Sequence, residues 1–387
     1  MGGSTLRALR FLREWLKSGA AELERDEVVL DPGGERLPAT LFRPPGSGPG
    51  LPGWVVFHGV TRPGRSHASL VRFARALAAS GSAVLLPEIR EWVELELAPE
   101  RTVPVTRSCV TFLAREVATT ERPGLVGFSF GAPQAVRTAA HPSLQGRVGG
   151  VVGFGSYFDL ERTFRFQLTG RHEWEGRRWT LDPDPYGRWI IGANYLTEVP
   201  DHSDAGDVAR ALWSLAAEAG DRQVPADDPV LQASVERVRE EIAPRRRPLF
   251  DLFAPPEGQT PDPGALRELA HDVARAAARV SPELDVRPWL DRVPCPVELV
   301  HGRGDRLIPF TETLRLAAAF PPRAPLNVAI TGLFAHSGEA PVRAGLRAVR
   351  EGWRFFRALR RVIRLPGSAP VSPPGSPGRR GATGPPS

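Results

Sequence analysis

Lysine is almost missing from this sequence of 387 residues. Lys17 is the only one, so arginine carries nearly all of the positive charge. This excludes a lysine-dependent phosphate loop, a Schiff base or a lysine general base from the chain after residue 17. Cysteine is also scarce: Cys109 and Cys295 can form one bridge at most, and their spacing does not resemble a metal-binding or redox pair. We interpret both as buried thiols.

Long hydrophobic runs are missing too. No segment approaches the roughly 18 consecutive apolar residues that a spanning helix needs. Arg7, Arg10 and Arg13 interrupt the N-terminal segment, which therefore lacks the apolar stretch of about 7 to 15 residues found in a secretion signal. The expected compartment is the cytoplasm. The eight histidines are dispersed and form no HExxH motif, so we predict neither a metal nor a cofactor.

Positive charge is concentrated at the C-terminal end of the chain. Residues 340–387 contain ten arginines and one acidic residue, Glu351, although the whole chain has a net charge of only +6. The rest of the chain is therefore slightly acidic, which argues against a nucleic-acid binder. Apolar and arginine stripes over 342–364 predict an amphipathic helix, and 5–23 predicts a second one. We expect both helices to pack on the protein; the alternative is contact with a membrane surface.

Short apolar runs alternate with helical patterns along most of the chain. The predicted strands are 54–58, 83–86, 125–128, 148–154, 297–301 and 326–331, preceded by a hairpin of 27–30 and 37–42. This alternation predicts an α/β protein with a mostly parallel sheet flanked by helices on both faces. Ligands of such sheets bind beyond the carboxyl ends of the strands, so active residues should directly follow a strand.

The alternation stops between the fourth and fifth of these runs, 148–154 and 297–301, where only helical patterns occur. We predict that residues 161–290 form a helical cap inserted into a core of 25–160 and 291–364. Residues 1–24 contain the first amphipathic helix. Residues 365–387 lack apolar periodicity, so a disordered tail is predicted there.

The strand at 125–128 leads directly into the sequence Gly-Phe-Ser-Phe-Gly, residues 127–131, and a helical pattern follows. A nucleophile on a sharp turn between strand and helix is held clear of the backbone, and the flanking positions must be glycine for want of space. Ser129 is therefore the candidate nucleophile.

A serine hydroxyl needs a base, and the base needs an acid. His336 lies five residues beyond the strand 326–331 and is the candidate base; His301, which ends a strand, is the alternative. Asp305 follows the strand 297–301 on a glycine-rich turn and is the candidate acid. A turn or helix-capping role is the other interpretation of Asp305.

With the elbow, the Gly-x-x-Asp-x-x-Ile-Pro turn at 302–309 and a late histidine in this order, the chain resembles the α/β-hydrolase superfamily. The resemblance implies Ser129 as nucleophile, His336 as general base and Asp305 as its partner. It also implies an oxyanion hole made by the amide N–H of Phe130 and that of Val60, with Thr61 as alternative. The chain departs from relatives in two features: it has alanine before His336, and it lacks the HGGG form of one esterase branch.

Ten of the 30 aromatic residues fall within residues 151–200, just after the elbow. They predict an apolar pocket under the cap, for which the candidate contacts are His58, Tyr157, Phe158 and Trp189. The alternative is that these rings form the core of the cap itself. Arg62 and Arg65, in the loop after strand 54–58, are candidates for binding a substrate carboxylate.

The sequence therefore predicts a cofactor-independent serine hydrolase that cleaves a small carboxylic ester, a thioester or an amide through an acyl-enzyme. Two alternatives stay open at this point. One is a non-catalytic binding protein on a hydrolase fold, and the other is a lipase or esterase that works at a membrane surface.

Overall fold

The computed structural model describes residues 3–117, 119, 122–333 and 346–368. Its main sheet has eight strands, and a separate hairpin has two. The strands are β1 (Glu24–Leu30), β2 (Leu37–Arg43), β3 (Gly53–Phe57), β4 (Ala83–Pro87), β5 (Gly124–Phe128), β6 (Gly150–Phe154), β7 (Arg171–Trp174), β8 (Arg177–Thr180), β9 (Val297–Gly302) and β10 (Leu326–Thr331).

Helices account for most of the remaining described residues. They are α1 (Gly3–Leu16), α2 (Ala68–Ala79), α3 (Arg90–Val93), α4 (Thr102–Arg115), α5 (Gly131–Ala140), α6 (Leu160–Thr169), α7 (Tyr186–Tyr195), α8 (Gly206–Arg222), α9 (Gln232–Glu241), α10 (Arg247–Phe253), α11 (Pro263–Val280), α12 (Phe310–Ala319) and α13 (Leu346–Val362).

The strand order of the main sheet is β1-β2-β4-β3-β5-β6-β9-β10. Strand β2 is antiparallel to both of its neighbours, β1 and β4, and all other pairs are parallel. The predicted hairpin pairs Leu30 with Leu37 at its turn. A mostly parallel sheet flanked by helices was predicted, and this fold class is confirmed.

Both faces of the sheet are covered, because successive side chains of a strand point to opposite faces. Val55 and Phe57 belong to the apolar cluster that includes residues of α4 and α5. Trp54 and Val56 belong to a second cluster with residues of α1, α2 and α13. The central strands β3 and β4 are fully buried, and β5 and β6 are buried up to their last residue, as their apolar sequences require.

The predicted cap, residues 161–290, contains more than the three helical patterns seen in the sequence. Helices α6, α7 and α10 and the hairpin β7–β8 were not predicted. The hairpin was missed because its two strands have only four residues each, half of these residues are charged, and most are exposed. From residue 369 on, the predicted tail lies outside the described residues.

Hydrogen bonds place the cap over the carboxyl edge of the sheet. The Asn194 amide bonds the backbone of Leu95 and Leu97, in the loop after β4. The Tyr186 hydroxyl donates to the carbonyl of Val60, in the loop after β3. Within the described ranges, no helix is long and apolar enough to cross a membrane.

Candidate active site

The turn between β5 and α5 holds Ser129 in a left-handed conformation, with φ of 54°. The Ser129 amide donates to the carbonyl of Phe154, at the end of the neighbouring β6. A Cβ at Gly127 would lie 2.1 Å from the carbonyl oxygen of Gly131, so no side chain fits there. Non-glycine residues with positive φ are strained, and such strain is concentrated at functional sites.

The strand order and this elbow together decide the architecture. The turn that carries Ser129 follows the central strand β5, and the predicted cap is inserted after β6, between strands that adjoin in the sheet. The chain has the α/β-hydrolase fold. In that fold the reactive groups lie at the carboxyl edge of the sheet, the edge that the cap covers here.

The backbone amides of Phe130 and Val60, both near Ser129, have no hydrogen-bond partner within the described residues. Phe130 follows Ser129 directly, and the loop that carries Val60 lies against the elbow. A Cβ added to Gly59 would be 3.4 Å from the Ser129 Cβ. The amide of Thr61, by contrast, already donates to the carbonyl of Trp92 at 3.1 Å. Of the two candidates in this loop, Val60 is therefore the one whose N–H is available to an oxyanion.

Asp305 is buried at the turn after β9. Its Oδ1 accepts hydrogen bonds from the amides of Leu307 and Ile308, both at 2.9 Å. Its Oδ2 lies 3.2 Å from Nε2 of His301. These contacts hold the carboxylate in one orientation, which a partner of the catalytic base requires.

His301, the alternative base, is fully buried, and contacts occupy both of its ring nitrogens. Nδ1 lies 2.6 Å from the Thr313 hydroxyl, and Nε2 lies 2.9 Å from the carbonyl oxygen of Ile308. An imidazole that is tied on both sides is unable to take a proton from Ser129. The ring instead helps to position Asp305.

Ser129 and Asp305 come from the same edge of the sheet. They follow β5 and β9, which lie on either side of β6, so their strands are about 10 Å apart. The next strand, β10, ends at Thr331 at that edge. His336, five residues later, lies outside the described residues.

His58 was predicted to contact substrate, but the structure gives it a different place. The ring is 1% exposed; Nε2 accepts from the amide of Ile89 at 3.0 Å, and Nδ1 lies 2.6 Å from the carbonyl oxygen of Gly59. Burial lowers the pKa of His58 to about 4, so the ring is neutral. His58 ties the loop after β3 to the loop after β4, and no ring atom is left for a ligand.

The free energy of unfolding is expected to decrease as the pH is lowered, because of the buried neutral ring of His58. The folded pKa of about 4 lies below the unfolded value of about 6.5, so the unfolded chain binds the proton more readily. This contribution is complete above pH 6.5 and decreases by about 1.4 kcal/mol per pH unit from there to pH 4. Urea unfolding at about pH 7.5 and pH 5 measures it. The loss of unfolding free energy between these two pH values should be smaller in His58→Gln than in wild type. The exposed control His271→Gln should lose as much as wild type. An equal loss in His58→Gln and wild type would show that His58 is not the cause.

The three predicted aromatic contacts differ in their surroundings. Tyr157 is buried, stacks on Phe130 with ring centroids 6.3 Å apart and donates to the carbonyl of Leu284. Its burial raises the pKa of the phenol. Phe158 is half-buried beside it. Trp189 is buried inside the cap, where its indole N–H donates to the carbonyl of Phe253 at 3.2 Å, so its ring belongs to the core of the cap.

The arginines that were candidates for a substrate carboxylate are already paired. Arg62 binds Asp221 of the cap at 3.1 Å. Arg65 binds Glu88 at 3.1 Å and Glu27 at 2.5 Å. Each guanidinium thus has a carboxylate partner within the protein, which leaves the carboxylate hypothesis without support from the geometry.

Sequence reasoning missed the groups that hold the cap at this edge. Arg306, next to Asp305, pairs with Asp182 and Asp227 of the cap. Buried Glu312 of α12 pairs with Arg162 of the cap at 3.2 Å, and burial raises the pKa of its carboxyl. The one signal in the sequence was the position of Arg306 directly after Asp305. Its partners Asp227 and Asp182 could not be found from the sequence, because they lie 79 and 124 residues away.

In the part of the chain that the structure describes, no group of three or more histidine, cysteine or acidic side chains is placed to hold a metal ion. No family model matches the chain, and no curated protein matches its sequence.

Solved structures resemble it weakly. A 2,6-dihydroxy-pseudo-oxynicotine hydrolase is 18% identical, with a TM-score of 0.43 over 95% of this chain and 75% of that one. Est1E from Butyrivibrio proteoclasticus is 12% identical, with a TM-score of 0.45 over 87% and 99%. Brefeldin A esterase, a bacterial homologue of human hormone-sensitive lipase, is 15% identical, with a TM-score of 0.43 over 93% and 83%. The fold assignment above therefore depends on strand order and elbow, not on these likenesses.

Proposed function

We propose that this protein is a serine hydrolase that cleaves carboxylic esters through an acyl-enzyme. The observation that carries the proposal is Ser129 at φ 54° on a strand-to-helix elbow, flanked by the unpartnered amides of Phe130 and Val60. Nucleophile and oxyanion donors at one carboxyl edge are the requirements of acyl transfer.

In this mechanism the Ser129 hydroxyl attacks the ester carbonyl while His336 accepts its proton. Negative charge then develops on the carbonyl oxygen, where the amides of Phe130 and Val60 stabilise it by about 3 to 4 kcal/mol each. Asp305 orients His336 and stabilises the imidazolium. His336 returns the proton to the leaving alcohol, and a water molecule, activated in the same way, releases the acid and restores Ser129.

The cap argues for a substrate with an apolar acyl group. Tyr157 and Phe130 stack beside the elbow, and the cap closes over that edge of the sheet. An ester whose acyl chain lies against these rings buries apolar area, about 25 cal/mol for each Å². Thioesters and amides share the same tetrahedral intermediate and are the related substrates to compare.

Two measurements test the proposal. A fluorophosphonate probe should label Ser129, as identified by peptide mass, and p-nitrophenyl esters of increasing acyl length should be hydrolysed with a maximum in kcat/KM above acetate. A chain that is neither labelled nor active on any ester would be a binding protein on this fold, and the proposal would be wrong. If kcat/KM falls steadily with acyl length from acetate onward, the apolar acyl pocket is wrong, but the serine hydrolase proposal is unaffected.

A further inference from the structure

The two terminal helices, far apart in sequence, lie side by side on one face of the sheet. Arg7 of α1 donates to the carbonyl of Ile363 at 3.3 Å, just after α13. Arg364 donates to the hydroxyl of Ser4 at 2.7 Å. Their inner faces share one apolar cluster, which includes Phe11 of α1. Their outward faces therefore form a continuous surface of the molecule.

The outward face of α1 mixes apolar and basic side chains. Its exposed residues are Leu6, Leu9, Arg10, Arg13 and Leu16, and Lys17 follows directly. The single acidic residue of the helix, Glu14, points inward: it is buried, pairs with Arg75 and accepts from the amides of Gly19 and Ala21. No carboxylate of α1 balances the outward charge.

The described outward face of α13 continues this composition. Exposed Trp353 stands among exposed arginines of the same helix and the turn after it. These are Arg350, Arg354, Arg357 and Arg364. Glu351, the acidic residue of α13, is only partly exposed and pairs with Arg354 at 3.6 Å.

These helices carry the most exposed large apolar side chains of the described residues. Leu16 is 73% exposed and Trp353 is 58% exposed, whereas the other exposed large apolar residues lie between 37% and 53%. Single exposed apolar residues are ordinary, but several on one surface with interspersed cations are a mark of an interaction site.

Contacts with the backbone of the core show that Leu16 and Trp353 lie toward the same end of this surface. Arg7 bonds the carbonyl of Ser80, just before β4 begins, and Arg72, early in α2, bonds the carbonyl of Trp15. Helix α1 therefore runs toward the carboxyl edge of the sheet. Helix α13 runs the other way, because Leu365 after it contacts Gly150 at the start of β6. Leu16 and Trp353 thus lie toward the edge that carries Ser129.

We propose that the outward faces of α1 and α13 form a docking surface for a membrane that contains anionic phospholipids. Arginine and lysine are attracted to the negative lipid headgroups, while the leucines and the tryptophan enter the boundary between headgroups and acyl chains. A nucleic acid would use the cations but not the leucines. A second copy of the chain would bring two basic faces together across a two-fold axis, which like charges oppose.

Co-sedimentation of the full chain with sucrose-loaded vesicles tests this surface. Vesicles with about 30% phosphatidylserine in phosphatidylcholine should bind the protein at least about tenfold more strongly than phosphatidylcholine alone. The variant Leu9→Gln/Leu16→Gln/Trp353→Gln should lose about tenfold of this binding. Arg13→Gln/Arg357→Gln should lose about fivefold for each cation removed. The control Val230→Gln/Val280→Gln, which changes exposed apolar residues of the cap, should bind like wild type.

Several results would overturn the proposal. They are equal binding to both vesicles, binding to neither, and binding that heparin abolishes while the triple apolar variant leaves it unchanged. A wild-type dimer in solution that the apolar variant converts to monomers would assign the surface to a second copy instead. Vesicle binding requires no ester turnover, so this outcome is independent of the hydrolase proposal.

Discussion

Replacing Ser129 by alanine is expected to lower kcat for an ester substrate by about 10⁴- to 10⁶-fold. In the proposed mechanism, the substitution removes the oxygen that attacks the carbonyl and leaves the oxyanion donors in place. Only the weak catalysis that binding and the oxyanion amides supply should remain. The loss belongs to kcat and not to KM, because alanine takes up no more space than serine in the ground-state complex.

The fold should survive this change, since no described residue shares a hydrogen bond with the Ser129 hydroxyl. The variant Ser129→Gly should be equally inactive and at least as stable as Ser129→Ala, because glycine adopts φ of 54° without strain. Ser143→Ala, beyond the other end of α5, is the matched control and should keep full activity. Steady-state rates with p-nitrophenyl esters decide the matter: comparable rates in wild type and Ser129→Ala would remove Ser129 from the mechanism.

Replacing Asp305 by asparagine is expected to lower kcat by about 10⁴-fold without unfolding the protein. An asparagine oxygen still accepts from the amides of Leu307 and Ile308, so the turn after β9 is retained. In the proposed mechanism, the negative charge that stabilises the imidazolium is lost, and the amide group favours the wrong tautomer of the base. The expected loss of kcat is therefore electrostatic. A large loss indicates a catalytic carboxylate, whereas a residue that only holds the turn would tolerate asparagine.

The control for this variant is Asp182→Asn, which removes a charge beside Arg306 at an exposed position of the cap. It should change kcat by less than about threefold, as expected for a surface ion pair. Unfolding midpoints should accompany the rates. If Asp305→Asn keeps more than about a tenth of the wild-type kcat while remaining folded, Asp305 acts only as a turn residue.

Sequence patterns predicted the parts of this protein that depend on local physics. The apolar runs of β3 to β6 identify buried parallel strands. Both faces of such a strand are covered, so the side chains that point to either face must be apolar. The Gly127 and Gly131 spacing identified the elbow because the space at Gly127 excludes any Cβ and the space at Gly131 is tight, with a Cβ there 3.0 Å from the carbonyl oxygen of His58. Asp305 and Ser129 were placed at one edge because parallel strands end together.

The roles of His58 and Trp189 could not be predicted in the same way. Whether an imidazole meets a ligand or a backbone amide depends on a loop 31 residues away, at Ile89. Whether an indole lines a pocket or fills the core of the cap depends on α10, which the sequence did not reveal. Arg62 likewise meets Asp221 only because the cap folds back over the edge of the sheet.

The sequence alone determined the strands of the main sheet in chain order, the sharp turn that carries Ser129 and the two amphipathic helices near the ends of the sequence. Each of these follows from the size, charge and backbone freedom of neighbouring residues. Only the tertiary structure decided which backbone amides and guanidinium groups have partners within the protein. It also decided that α1 and α13 lie side by side and share one basic, partly apolar surface. Those outcomes depend on contacts between residues up to 360 positions apart, which no local pattern specifies.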